Sequence, residues 1–129
     1  MAEETKEVTK GDGYAVANID ALGEGPGFRK VRRELDVAEF GVNAIVMPPG
    51  YEGREHFHDE QEELYFVHSG TLQFTFGDGR EVTLGPGGLA RVDASTHRRF
   101  KNVGEDDAVY VCVGAKGGYV GRDGQEVPD

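Results

Sequence analysis

A single cysteine among 129 residues excludes an intramolecular disulfide. That residue, Cys112, sits between Val111 and Val113 and reads as a buried apolar thiol rather than a nucleophile. Basic side chains are also scarce, with fourteen Lys and Arg against twenty-four Asp and Glu and a formal charge of −10 when the histidines are neutral. Such a surface repels phosphate backbones and anionic bilayers, which argues against nucleic acid and against a membrane as partners. No run of 18 apolar residues exists, so no spanning helix is expected. The first ten residues, MAEETKEVTK, lack an apolar h-region, so no secretory signal is expected and the expected location is cytoplasmic. Nor is there a sustained 3.6-residue apolar period, which removes a helical class.

What the chain has instead is punctuation. Twenty glycines and five prolines divide it into short segments, as an all-β domain of many turns requires. At this length one domain is expected, placed over residues 14–114 between a polar, mobile tail (residues 1–13) and a glycine-rich tail (residues 115–129) in which only Tyr119 and Val120 could dock. Strand-like runs occur at Tyr14–Ile19, weakly at Phe28–Leu35, and at Phe40–Met47, where Pro48-Pro49-Gly50 stops the run. Asp36–Glu39 has room for one helical turn. Gly23–Gly27 is read as a turn, since no helix follows it to make a phosphate loop. Leu72, Phe74 and Phe76 alternate with Thr71, Gln73 and Thr75 in the period of a half-buried strand, and Asp78-Gly79 suits a type I′ reversal into Val82 and Leu84. Leu89–Val92, Arg98–Asn102 and Ala108–Val113 complete a set of eight or more short strands, the pattern of a sandwich or barrel.

The chemistry is concentrated in Gly50–Gly70, GYEGREHFHDEQEELYFVHSG. Alternation along a strand points His56 and His58 to the same side, where one ion can engage both. Polar Asp59, Glu60 and Gln61 suit a connection, and the β-forming run from Glu63 to Val67 brings a carboxylate back beside the imidazoles. The plain alternative is a solvated acidic loop beside two surface histidines.

Gly50, five residues, His56-x-His58, four residues, Glu63, six residues and Gly70 together resemble the first motif of the cupin superfamily. The resemblance implies a cupin-type jelly-roll β-barrel, or double-stranded β-helix, with a metal or ligand inside it. It also implies that Glu63 is the carboxylate ligand and that Glu62 faces away. The second motif of that family departs here. Counted from Gly87 without gaps, Asp93, Ser95 and Arg98 fall where the family has Pro, Gly and His, while Asn102 matches and His97 comes one residue early.

A one-residue slip turns every side chain of a strand over, and Phe100 is the residue that most wants the interior. Arg98 shares its side, which leaves His97 outside unless a bulge turns it in. An interior guanidinium cannot coordinate a cation. It either holds an anionic substrate or pairs with Glu63 in place of the metal. The expected site is therefore a divalent transition metal (Fe, Mn, Ni or Zn) on His56, His58 and Glu63, with Arg98, Tyr65 and Phe100 around a small, anionic ligand. An oxygenase or isomerase fits this arrangement, as does a non-catalytic module that binds a small acid or sugar without metal, and a barrel in which the histidines are relics. Leu64 and Phe66 fall on the side opposite Glu63, and a homodimer is expected to cover that apolar strip, a second sheet or the C-terminal tail being the alternative covers.

Overall fold

The computed structural model describes residues 7–128. Twelve strands account for most of the regular structure: β1 (Thr9–Gly11), β2 (Tyr14–Val16), β3 (Gly27–Arg29), β4 (Gly41–Met47), β5 (His56–His58), β6 (Glu62–Ser69), β7 (Leu72–Phe76), β8 (Glu81–Leu84), β9 (Leu89–Val92), β10 (Arg98–Asn102), β11 (Ala108–Ala115) and β12 (Gly124–Glu126). A 3-10 turn (Ile19–Leu22) and one turn of helix, α1 (Val31–Glu34), interrupt them. All pairings are antiparallel, in one five-stranded sheet of order β12-β5-β10-β7-β8, another of order β3-β4-β11-β6-β9, and a small β1-β2 hairpin. This is a jelly-roll.

The two larger sheets share one core. Ile45, Met47, Tyr65, Val67, Val92, Ala108 and Tyr110 come from one sheet, and Leu72, Phe74 and Phe100 from the other. Alternation decides who enters. In β6, Glu63, Tyr65 and Val67 are buried while Glu62, Leu64, Phe66 and His68 are exposed; in β10, Arg98, Phe100 and Asn102 are buried while Arg99 and Lys101 are not. Tyr65, Phe74, Phe100 and Tyr110 form an aromatic cluster, with edge-to-face contacts of Phe100 to Tyr65 and to Phe74 at 4.9 Å between ring centres. Such contacts add about 0.5–1.5 kcal/mol each to the burial of the rings.

Four local expectations are revised. The tail expected over residues 1–13 lies partly outside the described residues, but Thr9–Gly11 pairs with Tyr14–Val16 rather than trailing free. The glycine-rich stretch expected to trail after residue 114 instead supplies β12, which pairs with β5, because Gly124–Glu126 fills an otherwise open sheet edge. The single helical turn falls at Val31–Glu34, ahead of Asp36–Glu39. At the β7–β8 reversal only Gly79 takes positive φ, at 87°, while Asp78 does not, so the connection is a three-residue loop closed by a left-handed glycine and not a type I′ turn.

Two motif glycines carry different demands. Gly50 has φ 77° with open space around an added Cβ, whereas Gly70 has φ 81° and an added Cβ would lie 2.6 Å from the Ala108 Cα. Gly70→Ala is therefore expected to cost more than about 2 kcal/mol and Gly50→Ala about 1 kcal/mol, compared by urea unfolding. Equal costs would show that the approach of Ala108 is not limiting.

Candidate functional site

β5 is three residues long, yet it carries both histidines. It is held on one side by β10 through the Arg98–His56 pairing alone, and on the other by β12 through three pairings. The intervening Asp59–Gln61 connection then delivers β6, and Glu63 rises beside the imidazoles. Donor atoms of His56, His58 and Glu63 all lie within 4.8 Å of one another. These are the three residues expected as metal ligands, and the fold brings them together. Glu62 faces outward, where it accepts from Arg91 at 2.9 Å.

The tautomers of the histidines follow from their neighbours. His58 Nδ1 lies 2.9 Å from Asp123 Oδ1, and His56 Nδ1 lies 3.3 Å from the Arg54 carbonyl. Both partners are acceptors, so each Nδ1 donates outward, and Nε2 is the atom of each ring that would meet a metal. His58 Nε2 is 3.0 Å from Glu63 Oε1. Two neighbouring ligands of one metal, each at about 2.1 Å, stand about 3 Å apart, so this pair fits a shared ion without rearrangement. With no ion between them the ring bridges two carboxylates. Burial alone would lower the His58 pKa, but hydrogen bonds to Glu63 and Asp123 raise it above the ordinary value, while burial lowers that of His56.

Arg98 has no exposed surface. Its guanidinium donates to Glu63 Oε1 at 3.1 Å, to the Tyr65 hydroxyl at 3.3 Å, and to the carbonyls of Ala94 and Thr96 at 3.1 and 2.6 Å. The ungapped register thus places Arg98 inside. Of the two interior roles, the geometry shows pairing with Glu63; the side chain does not line the cavity and presents no face to a ligand. His97 lies on the opposite side, half-exposed, stacked on Phe57 at 4.7 Å and 2.8 Å from Glu55 Oε2. Tyr65 and Phe100 do line the cavity, which measures about 280 Å³.

Tyr65 also donates to Glu63 Oε1, and the Cys112 thiol donates to Oε2 at 3.1 Å. Burial pushes the thiol pKa up, which keeps Cys112 a thiol and a poor nucleophile. Three contributors had no sequence signal of their own. Asp123, 5% exposed, anchors His58 from 65 positions away; Gln61 is buried against the same ring; and Cys112, expected merely as core, opens onto the cavity. Each depends on a tertiary contact that local periodicity does not encode.

The cupin domain family model matches residues 43–114. No curated protein matches the chain. Among solved structures, a cupin protein from Bacteroides fragilis superposes with a TM-score of 0.67 at 19% identity, covering 91% of this chain and 92% of that one. A sugar phosphate isomerase of the cupin superfamily from Silicibacter pomeroyi gives 0.63 at 25% identity over 81% of this chain and 60% of that one. A conserved protein with a double-stranded β-helix domain from Klebsiella pneumoniae gives 0.63 at 22% identity, covering 70% and 76%. The chain spans about three fifths of the length of the isomerase.

Burial alone would raise the Glu63 pKa, but hydrogen bonds from His58, Tyr65 and Cys112 hold it at about 2 against an ordinary 4.5. A depressed carboxylate stabilises the fold above its unfolded pKa, and that contribution disappears as the pH falls through the folded one. The metal-free protein is therefore expected to lose on the order of 3 kcal/mol between pH 4.5 and pH 2 through Glu63. Glu63→Gln should flatten this acid limb in denaturant titrations at successive pH values; an unchanged limb would refute the assignment.

Proposed function

The chain belongs to the cupin domain family, and from that membership we propose that it holds a divalent transition metal on His56, His58 and Glu63 and presents it to a small anionic molecule inside the barrel. The observation that carries this reading is the outward anchoring of both Nδ1 atoms, with donor atoms of the two rings and of a carboxylate held ionised within 4.8 Å of one another. Mixed imidazole and carboxylate donors suit iron, manganese, nickel or zinc better than calcium. Three protein ligands leave positions open, and a metal bound there supplies a Lewis acid for an anionic oxygen. The residues around it supply the rest. Tyr65 and Phe100 form an aromatic wall, and Arg32 and Arg122 also line the cavity without a carboxylate partner among the described residues. Arg32 stacks on the Tyr119 ring at 4.0 Å. Two guanidinium groups without a carboxylate partner on the wall of a cavity in a chain of charge −10 favour an acid over a neutral sugar. An oxygenase or an isomerase is the enzyme class that this open site supports.

One observation favours a second reading. Glu63 with Arg98, and His58 with Asp123, are complete ion pairs without any metal, as a non-catalytic acid-binding cupin would have them. Elemental analysis of protein purified without an affinity tag separates the two. Stoichiometric transition metal in the wild type, lost in His58→Ala and retained in His97→Ala, is the expected result. Absence of metal from the wild type after incubation with each of the four ions would sink the first reading in favour of the second.

We further propose that the domain is a homodimer in the cytoplasm. Leu64, Phe66 and Leu89 are 45%, 38% and 61% exposed, and Phe66 and Leu89 are cross-strand neighbours on the outer side of β6 and β9. Apolar side chains gathered in this way want a cover. Sedimentation equilibrium is expected to give twice the 14.0 kDa chain mass, and Phe66→Lys to return the single-chain mass; a wild-type monomer at micromolar concentration would contradict it.

A further inference from the structure

We infer that Asp123, the residue immediately before β12, is a positioning residue that fixes the His58 ring and so sets the affinity of the His56, His58 and Glu63 site for metal; the inference rests on the metal reading above. Asp123 lies outside the cupin-matched segment, which ends at residue 114. Its carboxylate is nevertheless 5% exposed and fully engaged. Oδ1 accepts from His58 Nδ1 at 2.9 Å, and Oδ2 accepts from the backbone N–H groups of Gln61 at 2.8 Å and Glu60 at 3.0 Å. One side chain therefore fixes both the imidazole and the connection that leads from β5 to Glu63. The backbone repeats the tie, since Asp59 N–H donates to the Asp123 carbonyl at 2.9 Å and Val127 N–H to that of Glu55 at 2.8 Å.

The arrangement has a chemical consequence. A carboxylate on Nδ1 holds the ring in the tautomer that leaves Nε2 free, restrains its rotation and raises the basicity of Nε2; removing such a partner typically lowers metal affinity about 10- to 100-fold. A second consequence concerns β5. With a single pairing to β10, the histidine strand depends on β12 for most of its ladder, so the backbone of Gly124–Glu126 holds that strand in place. Gln125, on β12 itself, gives a control. It is exposed and bonds Asp59 at 2.9 Å, so its loss loosens the surface of the strand without touching His58.

The test uses the full chain in three forms, wild type, Asp123→Asn and Gln125→Ala, with Zn²⁺ as the probe. Calorimetric titration is expected to show the Zn²⁺ dissociation constant rising about 10- to 100-fold in Asp123→Asn and unchanged in Gln125→Ala, with both variants unfolding cooperatively. Nitrogen-15 NMR of the metal-free histidines supplies a readout independent of Zn²⁺. A hydrogen-bonded, exchange-protected His58 Nδ1–H signal is expected in the wild type and in Gln125→Ala, and its loss in Asp123→Asn. Wild-type affinity in Asp123→Asn overturns the inference and leaves the metal reading standing, and so does an equal loss in Gln125→Ala, which would make the effect one of strand docking. If the wild type takes up no Zn²⁺, the metal reading falls and the affinity claim with it, while the NMR signal still decides whether Asp123 fixes His58.

Discussion

The site depends on one buried contact, the pair of Glu63 with Arg98. A carboxylate and a guanidinium withdrawn from water cost several kcal/mol each, and the geometry must return that through hydrogen bonds. It does so here by saturating Arg98, which donates to two backbone carbonyls and a tyrosine hydroxyl besides Glu63. The result is a fixed positive charge directly behind the site, where a further imidazole would otherwise stand. Glu63 stays ionised because of the donors gathered on it, and an ionised Glu63 is what draws either a metal ion or the His58 proton into the barrel.

From that contact the rest follows outward. Arg98 is paired across the sheet with His56, so the residue that neutralises Glu63 also sets the height of the histidine strand. His58 then stands between Glu63 and Asp123, a ring bridging two carboxylates from segments 60 residues apart in the chain. Beneath them the aromatic cluster of Tyr65, Phe74, Phe100 and Tyr110 forms a rigid floor, and His56 packs edge-on against Phe100 at 5.6 Å. The cavity therefore has a dry base, a charged centre and two arginines on its wall.

The parts that could be read from the sequence are those governed by short-range alternation. Period-2 patterning indicated which of His97 and Arg98 turns inward, because the large apolar neighbour Phe100 settles the face of that strand, whereas the choice of Glu63 over Glu62 came from the resemblance to the cupin motif. Strand number and turn spacing pointed to a sandwich or barrel, and the resemblance of the His-x-His segment and its glycines to the cupin motif implied the jelly-roll. What could not be read was anything that rests on a distant partner. Asp123 lies in Gly121-Arg122-Asp123-Gly124, a sequence with every mark of a loose turn, and is buried only because β5 offers it an open edge and an imidazole. Which of its two interior roles Arg98 takes, ligand clamp or partner of Glu63, could not be read either, since sequence alone does not show that four acceptors converge on its guanidinium.

The central claim, that two imidazoles and one carboxylate share an ion while Arg98 stands in place of a further ligand, is tested most directly by X-ray absorption at the edge of the bound metal. The account predicts two imidazole scatterers and a low-Z oxygen shell, with no sulfur. A sulfur shell, which would bring Cys112 into the site, or the absence of imidazole scattering would contradict it.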